Sequence, residues 1–425
     1  MEQWHGDELW YIGSGLAYLQ LLREMNYASV HSFVRGWGPY SETGGSVTHP
    51  FLARFFIGLS IRSFTGINSL ADVSDANFGL VLFFARFPSA LLGSLTCLLV
   101  YCLGKEVGGR RMGLLAAILL SLDASLLTAS RRAMLDIYAI FFSTMAVKFY
   151  IDRGQQSRDR FRWLLSPVSA GLAMGSKLVP STFAVIPTLA IDRVKSLRAG
   201  KAIRPIVLVG GASLTFLLVN PVYWYDPALL LHFLDSLKAR SSVASNTWGW
   251  YGFLTYFDPN IYYSWTHVYT FPEILLTSVG LVILSWKHAH GLTNENECLL
   301  INWFFITSVL SFFFFEWGRP LQRMAPIVIL ISSELITQGK SRVGRALAYG
   351  LGLFAVGAQL IGMIEYYPKF YVERWGAGFP ISWSPTAFWA YNAGFSAIFF
   401  GTLAFNIVLG IFTTFKSYRN RDAQV

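Results

Sequence analysis

The chain alternates long apolar runs with short polar breaks. A membrane-spanning helix needs roughly 20 mostly apolar residues, or about 17 at the short end. Runs of that kind lie near 81–103, 112–128, 133–151, 163–178, 180–192, 205–220, 271–287, 297–315, 321–337, 346–364 and 389–414. The pattern therefore predicts about eleven transmembrane helices. The shortest, 180–192, starts at Pro180. Residues 50–65, PFLARFFIGLSIRSFT, are apolar but carry Arg54 and Arg62. They read as an amphipathic helix at the interface rather than a span.

The polar breaks set the orientation. Lys105, Arg110 and Arg111 follow the first run, and Arg153, Arg158, Arg160 and Arg162 follow the third. Arg193, Lys195, Arg198, Lys201 and Arg204 follow the fifth, Lys340, Arg342 and Arg345 the ninth, and Lys416, Arg419 and Arg421 the last. Every second break is basic, as expected of cytoplasmic loops. This alternation requires 163–178 and 180–192 to be separate crossings. Residues 1–80, 221–270 and 365–388 then face outward, and the C-terminus is cytoplasmic. The implied division is an outward segment with an interfacial helix at 1–80, a transmembrane catalytic module at 81–220, an outward loop at 221–270 and a second transmembrane module at 271–425. Export of 1–80 calls for a preceding helix. The expectation is thus one more helix upstream in the natural protein, with unaided translocation as the alternative.

Composition agrees with an all-α polytopic membrane protein. The chain is 54% hydrophobic and only 14% charged, with a mean hydropathy of +0.45. Soluble domains hold about 25% charged residues. The net charge of +10 sits largely in the cytoplasmic breaks, so it reports topology rather than nucleic-acid binding. Cys97, Cys102 and Cys298 lie in or beside apolar runs, without CxxC spacing. They read as buried thiols, with no disulfide framework and no metal site.

The outward side carries ionisable residues that topology does not explain. Asp7 and Glu8 form the chain's first acidic pair. Neighbours on a helix face different ways, so one would point into a site and the other would hold backbone or a cation. Carboxylates at a helix N-terminus, favoured by its dipole, are the structural alternative. In TASRRAMLD, residues 128–136, Arg132 and Asp136 have i,i+4 spacing and could pair. Arg131 would then be available to a phosphate, whose oxygens match its fork of donors. Arg131 and Lys177 could instead snorkel to lipid headgroups. His49 could be a structural hydrogen-bonding residue, and Arg86 an interfacial anchor for its helix. Arg323 lies inside an apolar run and needs a partner or an anionic ligand. A carboxylate and several cations on one membrane face suit an anionic lipid donor. The cations would hold its phosphate as leaving group, and the carboxylate would take a proton from an acceptor hydroxyl.

Several stretches carry a resemblance in order along the chain: DELWY, HPFLARFFIGL, the long run RFPSALLGSLTCLLVYCLGKEVGGRRMGLLAAILLSLDASLLTASRRAMLD, GLAMGSKLVP, SSVASNTWGWYGFLTYFDP and GRPLQRMAPIVILI. Together they resemble the protein O-mannosyltransferases (dolichyl-phosphate-mannose–protein mannosyltransferases) of the GT-C membrane glycosyltransferases. The resemblance implies a GT-C fold and transfer of mannose, with inversion, from a polyprenyl-phosphate donor to an acceptor hydroxyl, usually Ser or Thr of an exported protein. It implies Asp7 as base and Glu8 as a group positioning the acceptor or its loop. Arg131 would bind donor phosphate, with Lys177 and His49 lining the same pocket. Asp136, Arg86 and Arg323 join them as candidate donor-binding residues. No metal or other cofactor is implied. The active site would be extracytoplasmic or lumenal, and a dimer is one assembly open to the chain.

Three departures stand out. The family's first transmembrane helix has no counterpart. The loop 221–270 has no room for the MIR domain of eukaryotic members, which points to a prokaryotic type whose acceptor need not be protein. HPF stands where the family usually has a second proline. Two other readings stay open: a GT-C transferase moving another sugar to lipid or glycan, and a lipid-linked sugar transporter or flippase. Transporters place polar groups at mid-membrane in paired repeats, whereas here they gather outward and no repeat is visible. An inactive remnant is a further possibility.

Overall fold

A computed structural model describes residues 6–36, 49–152, 162–194, 203–225, 227–231, 235, 271–313, 321–337 and, near the C-terminus, 346, 350–354, 356–357 and 360. Every regular element among them is helical. We number them α1 (Gly6–Glu24), α2 (Tyr27–Arg35), α3 (Leu52–Thr65), α4 (Phe78–Gly108), α5 (Arg110–Ser121), α6 (Ala124–Ser130), α7 (Asp136–Asp152), α8 (Arg162–Ser176), α9 (Pro180–Phe183), α10 (Val185–Val194), α11 (Ile203–Leu218), α12 (Val222–Tyr225), α13 (Phe271–Ala289), α14 (Glu295–Phe313) and α15 (Ala325–Thr337). Short 3-10 turns occupy Leu70–Asp72 and Leu321–Met324.

Nine of the eleven expected spans fall on these helices, and two of the nine are broken. The run 112–128 divides at Leu122 and Asp123, where the Asp123 carboxylate accepts from Leu126 N–H and caps a new helix. The run 180–192 divides between α9 and α10. The expected span 389–414 lies outside the described residues, as does most of 346–364. Among the described residues, α4 alone is long and apolar enough to cross a membrane. Leu164–Ser176, Ser181–Ile191, Pro205–Leu218 and Ala325–Glu334 are shorter apolar helices. Along α4, Leu80, Phe83, Phe87, Leu91, Leu95 and Leu98 form an exposed apolar stripe at helical spacing.

Where residues 1–80 are described, α1, α2 and α3 occupy most of them. Arg54 does not lie on an exposed polar face of α3. That side chain is 0% exposed and lies with Ile57, Gly58 and Ile61 on the buried face of α3. The cysteines are free, and all three are half-buried rather than buried.

Glycines explain how apolar helices approach closely without a strong hydrophobic pattern. A Cβ on Gly15 in α1 would lie 2.6 Å from the carbonyl oxygen of Arg54 and 3.0 Å from Gly58 N. A Cβ on Gly58 would strike the Gly15 carbonyl. Similar close approaches occur at Gly171 against Ala212 O, at 2.5 Å, and at Gly280 against Ile331 O, at 2.7 Å. Gly104 and Gly113 close the α4–α5 hairpin, which turns at Gly109 with φ of 90°. The Gly-Ser-Gly run at 13–15 that lowers the apolar score of α1 therefore includes the residue that seats it on α3.

A Gly58→Ala substitution is expected to destabilise the protein by about 1–3 kcal/mol, because two backbones must separate. Gly79→Ala meets nothing within 4 Å and should be neutral or slightly stabilising. Thermal unfolding of the two variants in detergent decides it, and equal midpoints would remove the α1–α3 crossing as a stability determinant.

Candidate active site

One end of the helix bundle gathers most of the ionisable residues expected on the outward side. Glu8 is 0% exposed. Its Oε1 accepts from Arg86 Nε at 2.8 Å, and its Oε2 accepts from Arg86 Nη2 at 2.8 Å. Oε1 also accepts from the backbone N–H of Ala133 at 2.9 Å. One carboxylate thus ties α1 to α4 and to the turn between α6 and α7. Both oxygens are engaged, and Glu8 holds a cation and a backbone N–H, as expected of a positioning group. Arg86 is held by that pair rather than serving only as an interfacial anchor.

Ala133 belongs to the turn that carries Arg131 and Arg132. Arg131 caps α6, its N–H bonded to Leu127 O, and both arginines are half-buried. Asp136 opens α7 just beyond. Its Oδ1 accepts from Lys177 Nζ at 2.9 Å and from Arg323 Nε at 2.9 Å, with Arg323 Nη2 also 2.8 Å away. Arg323 Nη1 donates to Ser181 Oγ at 3.0 Å. Two cations from distant stretches therefore converge on one carboxylate oxygen. Lys177 is buried in this contact and does not snorkel. Asp136, one helical turn from Arg132, is thus a partner for Arg323.

A third group lies beside α1. The Arg54 guanidinium sits 4.4 Å from the Trp10 ring centroid, 5.3 Å from Phe51 and 5.9 Å from Tyr11. Burial lowers the Arg54 pKa to about 10, offset in part by the Tyr11, Tyr223 and Tyr18 rings. The side chain stays charged at neutral pH. His49 meets Trp10 edge-on at 6.3 Å. Phe51 stacks on Tyr18 at 4.9 Å and donates its backbone N–H to Asn220 Oδ1 at 2.7 Å. Asn220 donates in turn to Phe216 O. A proline at position 51 has no N–H to give, so the departure at HPF joins α3 to the end of α11.

Asp7 lies in the first turn of α1, immediately before Glu8. Arg54, Trp10, Ser181 and Asn220 were not singled out from sequence as site residues. For Arg54 a signal existed: it falls in helical register with Ile57, Gly58 and Ile61, which marks the buried face. Ser181 and Asn220 had none, since their partners lie 142 and 169 residues away. Among the described residues, no group of three or more His, Cys, Asp or Glu is arranged to hold a metal ion.

Residues 46–236 match the family described as dolichyl-phosphate-mannose-protein mannosyltransferase. An uncharacterized protein of Aquifex aeolicus is 28% identical over 148 residues, which is 35% of this chain and 29% of that protein. Two solved structures of the Archaeoglobus fulgidus oligosaccharyltransferase are also similar. The apo form gives a TM-score of 0.46 at 13% identity, covering 83% of this chain and 48% of that one. The complex of that enzyme, AglB, with an inhibitory peptide and a dolichol-phosphate gives 0.44 at 14% identity, over 76% and 47%. The chain spans less than half the length of each of these relatives.

Removing one partner of a buried, bidentate pair leaves an uncompensated charge. Glu8→Gln is expected to cost about 3–5 kcal/mol of stability, because Arg86 keeps its charge beside a neutral amide. Adding Arg86→Gln should recover a large part of the loss, since the introduced amide oxygen can still accept from Ala133 N–H. Unfolding midpoints of the single and double variants test this, and a Glu8→Gln protein as stable as the parent would remove the clamp.

Proposed function

We propose that this chain is a membrane glycosyltransferase of the GT-C type. It would move mannose, or a related hexose, from a polyprenyl-phosphate donor to an acceptor hydroxyl. Ser or Thr of an exported protein is the favoured acceptor. The observation that carries the reading is the convergence of Lys177 and Arg323 on Asp136, beside the Arg131–Ala133 turn that Glu8 holds. Four of these positions, Arg131, Ala133, Asp136 and Lys177, fall inside the stretch that matches the mannosyltransferase family.

In this reading the acceptor oxygen attacks the anomeric carbon while the bond from that carbon to the phosphate oxygen breaks. Asp7 takes the acceptor proton, the polyprenyl phosphate leaves, and the configuration inverts. Arg131, Lys177 and Arg323 stabilise the charge that grows on the leaving phosphate. No metal ion takes part. The eleven-helix, multi-pass arrangement, with this end outward and the C-terminus cytoplasmic, belongs to the same proposal, as does the division at residues 80, 220 and 270. One geometric fact supports the membrane reading. Twenty residues of α4 separate Arg86 from Glu106, or about 30 Å of helix rise. Glu106 pairs there with Lys148 at 2.6 Å. A bilayer core has about this thickness.

The test is transfer from labelled polyprenyl-phosphate-mannose to a Ser/Thr-rich peptide in membranes containing the chain. Asp7→Ala should lower turnover by at least ~100-fold, the usual contribution of general acid–base catalysis, with donor binding little changed. Arg131→Ala should instead weaken donor binding by about tenfold, as expected for loss of one charge-assisted contact. Normal turnover in Asp7→Ala would exclude it as the base. Donor binding without transfer to peptide, lipid or glycan would favour the transporter reading.

A further inference from the structure

Trp10 differs from the other aromatic residues of the cluster that surrounds Arg54 and Phe51. Tyr11, Tyr18, Phe33, Phe51 and Tyr223 are all buried, with exposures of 4%, 1%, 2%, 1% and 1%. Trp10 is only half-buried. The ring packs partly on the core and leaves part of its surface open. Its indole lies against the Arg54 guanidinium at 4.4 Å, and Arg54 has no exposure at all. A buried cation against an indole face is an attractive contact. It holds the ring in place before any ligand arrives, which lowers the ordering cost of binding. His49, also half-buried, meets the ring edge at 6.3 Å. Asp7 lies three residues before Trp10 on α1, so the two positions share a helix face.

A pyranose ring presents a face of weakly positive C–H bonds flanked by hydroxyls. A fixed indole matches the C–H face through its negative π cloud. A neighbouring imidazole can donate to or accept from a hydroxyl. We propose that Trp10 is the platform on which the hexose ring of the lipid-linked donor stacks, with His49 hydrogen-bonding a sugar hydroxyl at its edge. Arg54 acts as a positioning residue that clamps the platform. This rests on the reading of the site as one of glycosyl transfer.

The experiment compares affinities of the purified full chain for polyprenyl phosphate and for polyprenyl-phosphate-mannose. In the parent protein the sugar should tighten binding. Trp10→Ala should reduce that gain about 3- to 10-fold, the worth of one aromatic contact. It should leave the bare phosphate's affinity unchanged, and Trp10→Phe should keep most of the gain. Trp10→Leu retains apolar bulk without a π face, and replaces Trp10→Ala if that variant fails to fold. A sugar gain unchanged in the folded Ala or Leu variant, or absent from the parent, overturns the platform. Failure of the parent to bind either lipid overturns the glycosyl-transfer reading itself.

Discussion

A carboxylate with no solvent exposure costs several kcal/mol to bury unless its oxygens are fully engaged. Glu8 meets that condition with one arginine fork and one backbone N–H, drawn from two separate parts of the chain. The arrangement can exist only when α1 is seated against α4 and the turn before α7. Much else at this end follows. Seating α1 brings Gly15 onto Gly58, which fixes α3. Fixing α3 puts Arg54 beneath Trp10 and Phe51 within reach of Asn220. The same carboxylate pins the peptide of Ala133, so the turn bearing Arg131 and Arg132 takes its place from α1 rather than from its own sequence.

The other end of the bundle uses paired charges in a different way. Lys287 pairs with Glu297 and lies 3.7 Å from Glu334, joining α13, α14 and α15. Glu106 at the end of α4 holds Lys148 of α7, and its carbonyl accepts from Asn296 of α14. Between these polar layers the helices meet through apolar side chains, close glycine contacts and a few interhelical hydroxyl bonds, such as Thr277 with Ser332 at 2.9 Å. Apolar packing alone would let such helices slide in register. Charged layers at both ends set the register, because each displaced pair leaves a buried charge without compensation.

Helix existence was legible in the sequence wherever apolar runs were long, and α4, α7, α8, α11, α13 and α14 fall close to their expected positions. The breaks were harder to read. Asp123 sits between two apolar stretches and caps a new helix, but a hydropathy window averages over it. α1 is not among the expected apolar runs because Gly13, Ser14 and Gly15 interrupt its apolar sequence, although Gly15 is what admits α3. The ionisable residues at the Glu8 end were legible as a set, since the alternation of basic breaks left them unexplained. Their pairing was not. Local spacing offered Arg132 for Asp136 and gave no sign of the side chains that reach it from positions 177 and 323. Contacts over 41 and 187 residues depend on the whole bundle and leave no short-range pattern.

The Asp136 cluster also bears on how a phosphate could be held and then released. Lys177, Arg323 and Asp136 together sum to one positive charge. Under the proposed reaction the donor phosphate carries one negative charge while esterified on both sides, and approaches two as it departs. A site of three bare cations would bind the product more tightly than the donor and release it slowly. A carboxylate shared by two of them keeps both cations ordered while the site is empty. It also competes with the phosphate for the same donors, which limits product affinity. The cation–carboxylate arrangement then favours the charge that develops during bond breaking without trapping the lipid phosphate afterwards.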